Sequence, residues 1–145
     1  MKFGWFTIAM FVVAVSLLSG CAGTSVSDAA VMANQSAKEA GSPYRWEYRR
    51  NGDYDVLTKR TVGVVADTTA DTVLAEFTRK QISAIENTKH ISPEQKPNQV
   101  RIVSKSEADA QEVWVYEIDN TTQAFVVSYV TSVDGGTDVS ITGPW

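Results

Sequence analysis

The chain is 145 residues long, with a formal net charge of −4, 43% hydrophobic and 21% charged residues, and a single cysteine. That length suits one domain with a tail, and the balance of apolar and charged residues excludes a wholly disordered chain and a polytopic membrane protein. One cysteine excludes an intrachain disulfide, a cysteine-rich zinc site and a dithiol redox motif, and the acidic balance argues against nucleic acid as the main partner.

Lys2 is the only charge before Asp28, and an apolar run follows it from Phe3 to Leu18. The run falls short of the ~20 residues a helix needs to span a bilayer. A basic start, an apolar centre and small residues behind it describe an export signal rather than a spanning helix. Those small residues, Leu18-Ser19-Gly20-Cys21, resemble the lipobox of bacterial lipoproteins. The resemblance implies a signal peptide over 1–20, cleaved between Gly20 and Cys21, and a lipid (diacylglycerol plus an acyl chain such as palmitate) carried by Cys21. Two or three chains hold a protein to a membrane almost irreversibly, where one holds marginally. Ala22 occupies the position where Asp, in this family, retains a protein at the inner membrane. The resemblance therefore implies the outer membrane, with the domain facing the periplasm.

Residues 21–43 read as a lipidated tether with a weak helix. Ser27 is its candidate cap, Ala29, Ala33, Ala37 and Ala40 form a thin stripe, and Gly41-Ser42-Pro43 ends it. A single domain is expected over 44–145. It opens with alternation: Tyr44, Trp46 and Tyr48 against Arg45, Glu47 and Arg49, the mark of a half-buried strand. Asn51-Gly52 signals a turn, and Tyr54 to Val65 reads as the second strand. Pairing Arg50 with Tyr54 gathers Tyr44, Trp46 and Tyr48 beside Tyr54, Val56, Val62 and Val64.

Asp67-Thr68-Thr69 opens a helix, with Thr68 and Asp71 at capping-box spacing. Ala70, Val73, Leu74, Phe77, Ala84 and Ile85 supply its apolar stripe, Asn87, Lys89 and His90 suit its end, and Pro93 and Pro97 hold a loop. Four strands follow, at about Gln99–Ser104, Gln111–Ile118, Gln123–Val133 and Thr137–Thr142. Pairing Ile118 with Gln123 puts Trp114, Tyr116, Phe125, Val127 and Tyr129 on one face, and a three-residue loop at 134–136 adds Val139 and Ile141. The fold class is α+β: two layers, one main helix on a mostly antiparallel six-stranded sheet, ordered hairpin, helix, four-stranded meander. This order resembles the helix-grip domains of some outer-membrane assembly lipoproteins.

No constellation points to catalysis. His90 is the sole histidine, at a helix end, and neither H-E-x-x-H nor G-x-S-x-G occurs. Asp53 and Asp55 lack the remaining ligands of a calcium loop, and Glu117 with Asp119 reads as a solvated pair near a turn. Gly135-Gly136 is followed by no helix and is a hairpin turn rather than a phosphate loop. Alternation sends the rings and arginines of the 44–50 stretch to opposite faces, against a nucleic-acid surface. The expectation is a non-enzymatic protein with no metal and no cofactor beyond the lipid on Cys21, docking a protein partner in an envelope complex. Val113, Val115, Val126 and Val130 gather on the sheet face opposite the aromatics, and something is expected to cover them: either the weak helix between Ser27 and Ala40 folding back, or a partner protein docking there. The alternative is a small module sheltering an apolar ligand in a pocket lined by Tyr44, Trp46, Trp114 and Phe125.

Overall fold

The structure is a computed structural model that describes residues 23–88 and 90–145. The signal, Gly20, Cys21, Ala22 and Lys89 lie outside the described residues. The fold is α+β, with two helices and two antiparallel sheets, of two and five strands. The chain divides into two compact units, the second made of 41–43 and 61–145. No helix among the described residues is long and apolar enough to cross a membrane.

The first unit is a helix and a hairpin. Helix α1 (Val26–Glu39) is capped by Ser25, two residues before the expected Ser27, because the Ser25 hydroxyl reaches the Asp28 amide three positions on, at 3.1 Å. Asp28 in its first turn and Lys38 in its last complement the helix dipole. Gly41, at φ +70°, supplies the left-handed residue that ends it. The expected tether is thus a docked helix. The stripe it buries runs through Val26, Ala30, Asn34 and Ala37, while Ala29, Ala33 and Ala40 are exposed. Asn34 explains the rotation. Its carboxamide accepts from the Trp46 amide at 2.6 Å and donates to the Trp46 carbonyl at 2.8 Å, as a strand neighbour would.

Trp46 lies in β1 (Tyr44–Asn51), which pairs with β2 (Tyr54–Thr61). The turn is Gly52-Asp53, with Gly52 at φ +61°. This overturns the expected hairpin register. The Tyr48 hydroxyl donates to Asp55 at 2.8 Å, the Lys59 ammonium lies 4.1 Å from the centre of the Tyr44 ring, and Arg60 pairs with Glu47 at 2.9 Å. The β1 aromatics therefore share a face with the odd-numbered residues of β2, not with Tyr54 and Val56. A turn displaced by one residue exchanges the two faces of a strand.

The expected second strand is also cut in two. Gly63, at φ +86°, presses so close to the backbone of Ile102 that a Cβ there would lie 2.7 Å from the Ile102 carbonyl oxygen. The Arg101 guanidinium holds the break by donating to the carbonyls of Val62 (3.1 Å) and Gly63 (2.7 Å). Beyond it, β3 (Val64–Val65) joins the five-stranded sheet, whose order is β3, β4 (Gln99–Lys105), β5 (Asp109–Ile118), β6 (Thr121–Thr131), β7 (Thr137–Thr142). One six-stranded sheet is accordingly replaced by a hairpin and a separate five-stranded sheet.

Helix α2 (Thr72–Ser83) is capped by Asp71, which accepts from the Leu74 amide at 2.8 Å. It buries Ala75, Thr78 and Ile82, whereas Val73 and Phe77, expected inside, are 78% and 48% exposed. The helix is rotated about one residue from the expected phase because a threonine takes the centre of its buried face. The Thr78 hydroxyl donates to the Leu74 carbonyl at 2.8 Å and shares a 3.0 Å bond with the Tyr129 hydroxyl, so it enters the core satisfied.

The aromatic face assembles as expected. Trp114, Tyr116, Phe125, Val127 and Tyr129 form one core cluster with Ala75, Ile82 and Ile91, and Val139 and Ile141 pack against it. The registers nonetheless differ. Ile118 pairs with Thr121 across a two-residue turn, Asp119-Asn120, both at positive φ, and Thr131 pairs with Thr137. Each shift is two residues, and a period-two structure keeps its faces under such a shift.

Candidate functional site

The valine patch comes first. The pairings Val113↔Val126, Val115↔Ala124 and Asp109↔Val130 put all four valines on the face opposite the aromatics, as expected. Val113, Val115 and Val126 are nevertheless buried within the chain itself, and only Val130, at 45%, meets solvent. Of the four, only Val130 therefore stands open to solvent.

The expected pocket residues are likewise occupied. Trp114 and Phe125 are fully buried in the core of the second unit, Tyr116 meets Phe125 edge-on with ring centres 5.9 Å apart, and Tyr44 and Trp46 belong to the hairpin of the first. His90 is exposed at φ +51°, and Glu117, Asp119, Asp53 and Asp55 are all exposed. Among the described residues, no group of three or more His, Cys, Asp or Glu side chains could hold a metal ion.

Sequence reasoning missed a buried carboxylate that accepts four hydrogen bonds. Glu112, on the aromatic face of β5, is fully buried. One carboxylate oxygen accepts from the Thr69 amide and hydroxyl, both at 2.6 Å; the other accepts from the Thr68 hydroxyl at 2.8 Å and the Trp114 indole at 2.7 Å. Four donors saturate the group, leaving it no lone pair for a substrate proton. Its work is structural: it holds the segment leading into α2 against the sheet. An out-of-pattern Glu between Gln111 and Val113 was the only signal. The buried phenols are equally unsuited to acid–base chemistry near neutrality, since burial pushes Tyr129 up to about 12 and Tyr116 up as well.

What remains is surface. Phe77, Gln81 and Ile85 of and just after α2, with Val139 and Ile141 of β7, line an open groove of about 200 Å³. The rotation of α2 creates it, by turning Phe77 outward beside the sheet edge. On the first unit, Arg49, Arg50, Asn51, Val56 and Thr58 line a dent of about 330 Å³. The α2–β7 groove is too small and open to enclose a small molecule, whose sites typically span roughly 300–1,000 Å³ and bury most of the ligand. It suits a side chain or two from another protein. No protein-family model, curated protein or solved structure matches this chain.

Proposed function

We propose that this protein is a lipid-anchored, non-enzymatic component of the bacterial outer membrane. It faces the periplasm and docks a protein partner in an envelope complex. The anchoring half of this reading rests on Leu18-Ser19-Gly20-Cys21, with the covalent lipid on Cys21. Cys21 precedes α1 by five residues, so the folded chain begins within roughly 17 Å of the lipidated sulfur. The docking half is carried by one observation: the open groove between α2 and β7, where Phe77 stays half-exposed beside Val139 and Ile141. Exposed apolar side chains grouped around a concavity mark interaction sites more often than scattered ones do.

The test places a benzophenone amino acid at Phe77 in full-length protein in living cells, with a control at exposed Lys96. A discrete envelope protein crosslinked from position 77 and not from 96 is the expected result. Equal labelling from both, or none from 77, overturns the docking role. Cys21→Ser is expected to leave the signal uncleaved and to remove acyl label. A Cys21→Ser protein that is still processed and still fractionates with the outer membrane overturns the anchoring.

A further inference from the structure

We infer that the partner binds as an added β-strand on β7, presenting an extended segment with apolar side chains at alternate positions and basic residues at its ends. The inference rests on the docking reading above and names what docks. The two edges of the five-stranded sheet differ sharply. At one edge β3 is two residues long, and the neighbouring β4 is bulged between Ile102 and Ser104. Those are devices that blunt an edge against further pairing. At the other, β7 pairs six consecutive residues with β6 without interruption, and contains no lysine, no proline and one charge, Asp138. Such an edge is a template for another strand.

Hydrogen-bond alternation tells which groups are offered. The Ser132 amide donates to the Gly136 carbonyl at 2.9 Å, closing the β6–β7 loop, while the Thr131 amide turns the other way, to Ala108 at 2.8 Å. In an antiparallel ladder the bonded pairs then recur every second residue: Val130 with Asp138, Ser128 with Ser140, Val126 with Thr142. Val139 and Ile141 lie between these, so their N–H and C=O groups point outward along an edge that no further strand covers among the described residues. Their side chains line the groove with Phe77, Gln81 and Ile85. A strand laid against β7 therefore gains main-chain bonds at Val139 and Ile141 and drops alternate side chains against Phe77 and Ile85.

Charge selects among occupants. The second unit carries twelve acidic residues against six basic ones. Asp134 sits in the turn at one end of β7 and Asp138 within it, while Lys80 on α2 is paired with Glu76 at 2.9 Å. A second copy would bring the same acidic unit to the edge and be repelled. A basic segment is attracted.

The probe is a capped peptide of eight alternating valines and threonines between lysine pairs, titrated into the mature full-length protein in detergent micelles. Two twins keep its side chains but carry N-methyl groups on one or the other alternate set of backbone amides; a third replaces the lysines with glutamates. Binding of the parent peptide is expected to slow hydrogen exchange at the Val139 and Ile141 amides by at least about tenfold. At least one N-methylated twin and the glutamate twin are expected to bind at least about tenfold more weakly, with the lysine-dependent part fading in salt. Binding of both N-methylated twins as tightly as the parent peptide overturns strand addition in favour of side-chain docking alone. Protection of Val139 and Ile141 without peptide, in a dimer seen by sedimentation, overturns it in favour of a second copy. If no peptide binds while Phe77 still crosslinks a partner, strand addition falls and the docking reading stands. If the peptide binds as expected but Phe77 crosslinks nothing in cells, the docking role falls and the edge chemistry stands.

Discussion

Glu112 shows how one side chain organises a chain reversal. Each of its oxygens faces two donors, from Thr68, Thr69 and Trp114. Glu112→Gln therefore puts an amide N–H₂ against donors whichever way it is turned. The variant is expected to lose about 2–4 kcal/mol, the range for breaking charged hydrogen bonds and stranding buried donors. Urea denaturation measures it, and an unchanged midpoint would refute the clamp. The buried tyrosines set a pH limit. Tyr129 holds its proton up to about 12 in the folded protein, against about 10 in an unfolded chain. The folded state thus binds that proton more tightly. The stability it contributes is whole below about pH 10 and is lost as pH rises through 12, with Tyr116 acting in the same direction. Phenolate absorbance and circular dichroism, followed together above pH 10, are expected to show these two phenols ionising as the fold is lost.

At the scale of elements, α1 owes its place to a side chain that resembles a peptide. Asn34→Asp keeps the acceptor for the Trp46 amide but exchanges the donor for a charge facing the Trp46 carbonyl. The helix is expected to undock. Hydrogen exchange across Val26–Glu39 should accelerate by about tenfold or more, an effect matching one lost hydrogen bond and one unpaired carbonyl. The β5 and β6 amides serve as the internal reference. Unchanged exchange in α1 would mean that packing at Ala30 holds the helix without Asn34. The phase of α2 follows the same logic: Thr78 is polar in composition but buried in fact, because two hydrogen bonds accompany it into the core.

At the scale of the molecule, β5 and β6 are buried on both faces over 112–116 and 123–127. Strands covered on both sides cannot present a flat docking surface. Val115→Lys is accordingly expected to destabilise the protein by about 3 kcal/mol or more, since a charge forced inside meets no partner. Thermal melting measures this. A Val115→Lys protein with an unchanged melting temperature would reopen that face as a binding surface. Charge is also distributed by region: the Tyr44–Arg60 hairpin carries five basic and three acidic residues, while the second unit is strongly acidic. This division of charge is the ground for the proposed basic strand on β7.

How much of this was legible in the residues depends on the range of the physics involved. The lipobox is a linear signal, read by contiguity alone. The aromatic core was legible through period-two alternation, and Trp114, Tyr116, Phe125, Val127 and Tyr129 came together even though both hairpin registers were off, because each error was an even number of residues. At β1–β2 the error was odd, and the faces exchanged. Gly63 was read through as strand, since nothing local announces that Ile102 will press against it. Val113, Val115 and Val126 were placed on the right face, but whether that face met water was a separate question. Alternation tells which side chains share a surface. What covers that surface depends on contacts between residues far apart in the chain, and only the tertiary structure decided it: Val113, Val115 and Val126 are buried, whereas Phe77 of α2 stays half-exposed.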